Sequence, residues 1–402
     1  MKLHVDTDRA LALAAIGLES EFTLFVDGKP TRPEDLFRDP RDFLRPPLMH
    51  RIGTSYHLPN GGAVYFDTGV VEVATPAIEL ERGAAARAGR SLWESIHYVR
   101  DALDTWQQRA GREVRLAGFS THYNISGHRV GRTSPARLDA LAFLLTHILP
   151  APVMLLAANR RSTGIGVRPR ATRMEVTCDF TPDAPLQIAA ATLIAGIVRA
   201  VAEWKSFAPG ELNRRGLPRF AGFRPVPHTS RQGWLARHDC YPANPFAVGP
   251  DVPRWTLEGR SMDSGPRTLR QIAADVFGYF RPAIAHIADP FTFRLVSAVM
   301  ERRAASLLDL PERPPAYDDV GRLCRWSGPL PQAALRRSRY ERVLIQAISG
   351  SPLYVDGDEY IPVGMRGWSR AVFRRRSDRT IQVLSIDSLL RHLDAWERSR
   401  NP

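Results

Sequence analysis

The sequence predicts an α+β fold, with a concave, largely antiparallel sheet backed by helices and a small C-terminal domain. Three observations lead there. Strand-like segments recur along the chain, joined by hairpin signals or single helices, without the regular strand–helix alternation of a doubly wound parallel sheet. Four of those strands each carry two polar groups two residues apart in an otherwise apolar run. At 402 residues the chain also exceeds what one hydrophobic core usually supports. The clearest linker is Pro311-Glu-Arg-Pro-Pro315, which divides the chain into domains 1–315 and 316–402.

Residues 11–26 read as a strand by their alternation, with Asp27-Gly28 as the turn that ends it. Residues 29–50 hold five prolines and many charges and predict a loop region with one short helix. Asn60-Gly61-Gly62 is a hairpin signal ahead of the strand Ala63–Asp67. Helical periodicity follows over 79–108, with Leu92, Ile96, Val99 and Leu103 on one face. Residues 115–126 return to strand, and Ser134-Pro135 opens an apolar helix ending near Pro150. A strand over 173–180 and a long apolar helix over 183–204 come next, whereas 205–260 give no clear pattern. Gly164-Ile-Gly166 reads as a turn. Helices are predicted over 268–288, 291–308 and 332–348, strands over 352–363 and 372–384, and a last helix from Asp387.

Composition is that of a folded protein, with 44% hydrophobic and 24% charged residues. No uninterrupted apolar run reaches the ~18 residues of a membrane span, so no membrane partner is expected. The first apolar run follows Asp6 and Asp8 and leads into Glu19, unlike a signal peptide. Cys178, Cys240 and Cys324 are scattered without metal spacing, which suits a reducing cytoplasm. The net charge of +13 is almost all arginine, since Lys2, Lys29 and Lys205 are the only lysines. It suggests nucleotide phosphates, an acidic protein or nucleic acid as partner, or simply a solvated arginine-rich surface.

The four polar pairs are Glu19/Glu21, Tyr65/Asp67, His122/Asn124 and Arg173/Glu175. Residues i and i+2 of a strand share a face, about 6–7 Å apart. Two carboxylates at that distance repel by roughly 2 kcal/mol at an effective dielectric near 20. A divalent cation turns the repulsion into attraction, and hard oxygen ligands suit Mg²⁺. Such a face makes a poor core and a good floor for a metal and a nucleotide. A P-loop is absent, and Gly118-Phe-Ser120 lacks the second glycine of a nucleophile elbow.

Gly17-Leu-Glu19-Ser-Glu21-Phe resembles the opening strand of the Pup ligase and depupylase group, within the glutamine-synthetase-like carboxylate–amine ligases. Asn60-Gly-Gly-Ala-Val-Tyr65-Phe-Asp67-Thr-Gly-Val-Val-Glu72-Val-Ala-Thr75-Pro76 is similar to a longer motif of the same group. Thr121-His122-Tyr-Asn124 and Arg173-Met-Glu175 follow in the same order, so the resemblance covers about residues 14–205. It implies a glutamine-synthetase-like catalytic domain using ATP and Mg²⁺. Glu19, Glu21, Tyr65, Glu72 and His122 would surround the metals, joined by Glu175, which stands where the group carries histidine. Asp67 would be the catalytic carboxylate, with Arg173, Arg170 and Asn124 towards the nucleotide. For Glu72 to share the face of Asp67, five residues away, a bulge at Gly69 is expected in the strand.

The implied reaction joins the terminal Glu or Gln side chain of a small acidic ubiquitin-like protein modifier to lysines of protein substrates through an acyl phosphate. The same site run in reverse would hydrolyse an amide with nucleotide as cofactor. Only 38 residues separate Glu21 from Asn60, too few for the long insertion that depupylases of the group carry, which favours ligation. A nucleic-acid-binding protein or metal-dependent nuclease is the alternative from another class.

Overall fold

Alternation builds the central strand. Ile16, Leu18, Phe22 and Leu24 are buried on one side of β1 (Ala15–Val26), while Gly17, Glu19 and Glu21 face the other. In this computed structural model the described residues are 11–44, 48–127, 134–229, 231–258, 265–324 and 331–398; Asp6 and Asp8 lie outside them. Eleven further strands join β1 in one sheet. They are β2 (Lys29–Thr31), β3 (Met49–Ile52), β4 (Ser55–His57), β5 (Ala63–Asp67), β6 (Val70–Ala74), β7 (Ile78–Glu79), β8 (Val114–Ser126), β9 (Gly164–Arg170), β10 (Arg173–Asp179), β11 (Val226–Pro227) and β12 (Trp234–Arg237).

The path across the sheet is β11-β12-β9-β10-β8-β1-β6-β5-β4-β3, with β2 and β7 also paired to β1. Every one of these pairings is antiparallel. The four strands with polar pairs are β1, β5, β8 and β10, so the predicted single antiparallel sheet is present. The signal at Asn60-Gly61-Gly62 joins β4 to β5, where the Leu58 N–H donates to the Gly62 carbonyl at 2.8 Å.

Helices pack on the apolar side. The predicted face of Leu92, Ile96, Val99 and Leu103 is fully buried on the helix Ala84–Ala110, which stops at left-handed Gly111. Ala184–Ala202 is long and apolar enough for a membrane span, yet it is mostly enclosed within the protein. Its neighbours include Leu269–Ile287, which starts with a Thr268–Gln271 capping box, and Pro290–Met300.

Several expectations change. Gly164-Ile-Gly166 is the start of β9 rather than a turn. The unassigned 205–260 region supplies β11 and β12. The apolar helix Pro135–Ile148 ends just before Pro150, as expected, but a second helix, Pro150–Ala157, starts there, because proline is tolerated in a first helical turn. Where two C-terminal strands were expected, four form a second antiparallel sheet: β13 (Leu353–Val355), β14 (Asp358–Arg366), β15 (Arg370–Arg375) and β16 (Ile381–Ser385). This sheet and the helix Arg339–Ile348 share a core with Trp396. The change of core comes later than residue 315, since Tyr317, Val320, Cys324 and Ala334 still belong to the large one.

Candidate functional site

Strand pairing lines up the polar residues in rows, because residues directly opposite in neighbouring strands share a face. One row runs Asp179, Ser120, Glu21, Glu72, Tyr65 across β10, β8, β1, β6 and β5. The next holds Thr177, His122 and Glu19, and a third holds Arg168, Glu175, Asn124 and Gly17. Beyond it Arg170 faces Arg173. The face thus grades from carboxylates at one end to arginines at the other.

Glu72 reaches this face by a hairpin, which replaces the bulge expected at Gly69. Thr68 and Gly69 both have positive φ, 52° and 95°, the signature of a two-residue hairpin turn. The chain reverses there, pairing Asp67 with Val70 and Tyr65 with Glu72. Tyr65, Asp67 and Glu72 therefore share one side, and the Tyr65 hydroxyl donates to Glu72 Oε1 at 2.6 Å.

Two groups of potential ligand atoms result: Glu19, Glu72 and His122, and Glu21, Asp67 and Glu72, in each of which the atoms lie within 4.8 Å of one another. His122 Nδ1 is 3.5 Å from Glu19, and its Nε2 is 3.7 Å from Glu21. Ser120 donates to Glu21 Oε2 at 2.5 Å and its hydroxyl lies 3.2 Å from His122 Nε2. Among the described residues, no arginine or lysine forms an ion pair with Glu19, Glu21 or Glu72, in a chain rich in arginine. Carboxylates this close, left without a permanent cation, fit a divalent metal bound through oxygen.

Their proton affinities express the same crowding. Burial, and then the Glu19 charge, push Glu72 up to about 8. Burial also opposes ionisation of Glu19, but the His122 hydrogen bond and the Arg173 charge outweigh it and hold Glu19 low, at about 2. Burial disfavours a charged His122, yet the Glu19 bond and the Glu21 charge raise it overall. Without metal, Glu72 and His122 thus hold protons that a cation must displace. Divalent-metal affinity is expected to climb from pH 6 towards pH 8 and then level off, with proton release seen by calorimetry in buffers of different ionisation enthalpy. Glu72→Gln should flatten that slope; an unchanged slope would take Glu72 out of the site. The raised pKa values make the metal-free chain less stable as pH rises through the same window.

Glu175 departs from expectation. Both of its oxygens are taken by Arg170, at 3.1 Å each, and it also pairs with Arg168. It lies outside both carboxylate groups and anchors two arginines instead, because the register sets it opposite Arg168. Arg173 donates to Asn124 Oδ1 at 2.7 Å. Asp67 sits at the edge, 40% exposed, accepts from the Thr68 hydroxyl at 2.8 Å and lies 3.6 Å from Arg231.

A cavity of about 380 Å³ lies over the face, touching Glu19, Tyr65, Glu72, His122, Arg170 and Arg173. That volume is in the range of small-molecule sites. Sequence reasoning missed part of its wall: Arg51 from β3, Arg231 from a loop, and Trp368 from the β14–β15 turn. Arg51 lies over the rings of both Tyr65 and Trp368, 5.3 and 4.9 Å from their centres. Ser120, two residues before His122, obeys the same spacing rule as the other pairs and could have been found by it.

No family model and no curated protein matches the chain. A solved structure of the complex between the prokaryotic ubiquitin-like protein Pup and its ligase PafA is similar in fold, with a TM-score of 0.55. The match is 15% identical and covers 96% of this chain and 92% of that one. A structure of PafA with ADP aligns over 98% of both chains at 14% identity and a TM-score of 0.42. The chain thus has a Pup-ligase-like fold.

Proposed function

We propose that this chain is a Mg-ATP-dependent carboxylate–amine ligase joining a small acidic ubiquitin-like protein to lysines of protein substrates. One observation carries the reading: Glu19, Glu21 and Glu72, which no described arginine or lysine pairs with, and a cluster of arginines occupy opposite ends of a single sheet face, over a cavity of about 380 Å³. The fold shared with the ligase of the Pup complex agrees with it.

Glu19, Glu72 and His122, and Glu21 with Glu72, would hold Mg²⁺, while Tyr65 fixes Glu72 by its hydrogen bond. Bound Mg²⁺ supplies neutralisation of phosphate charge. Arg170 and Arg173 bind phosphate oxygens at the other end and stabilise the transferring phosphoryl group. Glu175 and Asn124 are positioning residues that aim those arginines. The donor carboxylate oxygen attacks the terminal phosphorus, and ADP leaves. The lysine nitrogen then attacks the acyl carbon, phosphate leaves, and Asp67 takes the amine proton.

Mg-ATP is expected to raise the melting temperature of the parent, as ligand binding to the native state must. Glu19→Gln should remove most of that increase while leaving the unliganded melting temperature close to the parent's. Equal stabilisation of parent and variant by Mg-ATP would refute the assignment.

A further inference from the structure

Strand β8 changes sides once along its length. Val114, Leu116 and Gly118 are buried opposite Val26, Leu24 and Phe22, and an unbroken strand would put Ser120 on that same buried side. Instead the register shifts. Glu21 is opposite Ser120 while Phe22 is opposite Gly118, which leaves Phe119 as an extra residue. Such a bulge re-aims side chains. The carbonyls at the bulge are satisfied, that of Gly118 by Arg313 at 2.9 Å and that of Phe119 by the Phe180 N–H at 3.4 Å. Ser120 thereby joins the face of His122 and Asn124, between Glu21 and Asp179 in its row.

The bonds of its hydroxyl have a direction. The hydrogen goes to Glu21 Oε2 at 2.5 Å. Asp179, the neighbour on the other side, accepts instead from the Asn159 backbone and side-chain amide, at 2.9 and 3.0 Å. With its one hydrogen given away, the Ser120 oxygen, 3.2 Å from His122 Nε2, is left to accept there. Nε2 then carries a hydrogen, so Nδ1, 3.5 Å from Glu19, is the nitrogen whose lone pair a cation can use. The same direction sets Ser120 apart from a nucleophile, whose hydrogen would go to the histidine.

We propose that Ser120 is a positioning residue of the divalent-metal site: it fixes Glu21 and selects the His122 tautomer that presents Nδ1 beside Glu19 and Glu72. The inference deepens the reading above and rests on its metal site. A group that holds the far nitrogen of a histidine ligand sets both tautomer and ring orientation, and its loss typically costs ~10–100-fold in metal affinity.

The probe is Mn²⁺, a paramagnetic cation that suits the same oxygen ligands as Mg²⁺. It is titrated into the full chain by calorimetry, and the bound ion is examined by electron spin echo envelope modulation for coupled histidine nitrogen. Ser120→Ala is expected to bind Mn²⁺ about tenfold or more weakly, with diminished nitrogen modulation and a melting temperature close to the parent's. Ser120→Thr keeps the hydroxyl in a residue suited to strands and should retain both signals. Ser120→Val has the shape of threonine without the hydroxyl, and should behave as Ser120→Ala does even if the alanine variant fails to fold. Parent-like affinity and modulation in Ser120→Ala or Ser120→Val would overturn the role and leave the metal site standing. A parent that binds no Mn²⁺ would overturn the metal site and the role with it.

Discussion

Replacing Asp67 by Asn is expected to cut amide formation by ~10²–10⁴, the usual loss when a positioned general base is removed. The shape and hydrogen-bonding capacity of the side chain survive the change, but its ability to take a proton at neutral pH does not. A lysine amine of pKa near 10.4 is almost wholly protonated at pH 7, so the proposed ligation needs a proton acceptor. Asp67 is well placed to be it. The residue ends β5 at the rim, on the same side as Tyr65 and Glu72 but 40% exposed, where a polypeptide amine can arrive. Its carboxylate also belongs to the group with Glu21 and Glu72, so metal binding must be read on the same variant. Lost turnover with retained Mg-ATP stabilisation assigns Asp67 to proton transfer. Loss of both assigns it to the metal. Full turnover with a lowered melting temperature would reduce it to a turn residue bonded to Thr68, worth about 1 kcal/mol.

The second large effect is on stability. Glu341 is fully buried and accepts from Arg90 Nη2 at 2.5 Å, while its other oxygen accepts from the Ser338 N–H at 3.1 Å, closing the capping box of Arg339–Ile348. Arg90 lies on Ala84–Ala110, so this pair ties the helix under the second sheet to the helix behind the first. Among the described residues, Glu341→Ala leaves Arg90, itself 7% exposed, with Glu94 alone for an ionic partner, and is expected to cost about 3–5 kcal/mol. Burial raises the Glu341 pKa more than Arg90 lowers it, so a neutral side chain there is not foreign to the site. Glu341→Gln keeps the capping box and should cost clearly less than the alanine change. Chemical denaturation of both variants tests this; a Glu341→Ala loss below ~1 kcal/mol would show the tie to be dispensable.

Much of the candidate site's shared face was legible because a strand writes its facing into the sequence. Glu19, Glu21, His122 and Tyr65 were found from spacing alone, and β-pairing brought them together. What spacing cannot specify is the partner across the gap. Glu175 was placed on the correct face, but the register set it against Arg168. Arg51, Arg231 and Trp368 reach the cavity from a short strand, a loop and a distant turn, where no period marks the residues that point inward. The glycines of β9 misled for a physical reason. Glycine is a poor strand former, yet a Cβ at Gly166 would lie 2.4 Å from the Thr177 hydroxyl, and one at Gly164 would lie 2.7 Å from the backbone of β12. They are there so that neighbours can approach, and a single sequence does not show the neighbour.

The row Asp179, Ser120, Glu21, Glu72, Tyr65 draws each of its members from a different strand. The contact between Glu21 and Ser120 closes a loop of 99 residues. Contacts so distant along the chain form slowly, because loop-closure entropy must be overcome before they are rewarded. A helical hairpin behind the sheet can assemble early, but the proposed cation site with Glu19, Glu72 and His122 is complete only once β1 has captured both β6 and β8. If the proposed site binds a divalent ion, acquisition of full affinity during refolding would report the joining of β1 to β6 and β8, and it should lag the recovery of helical signal.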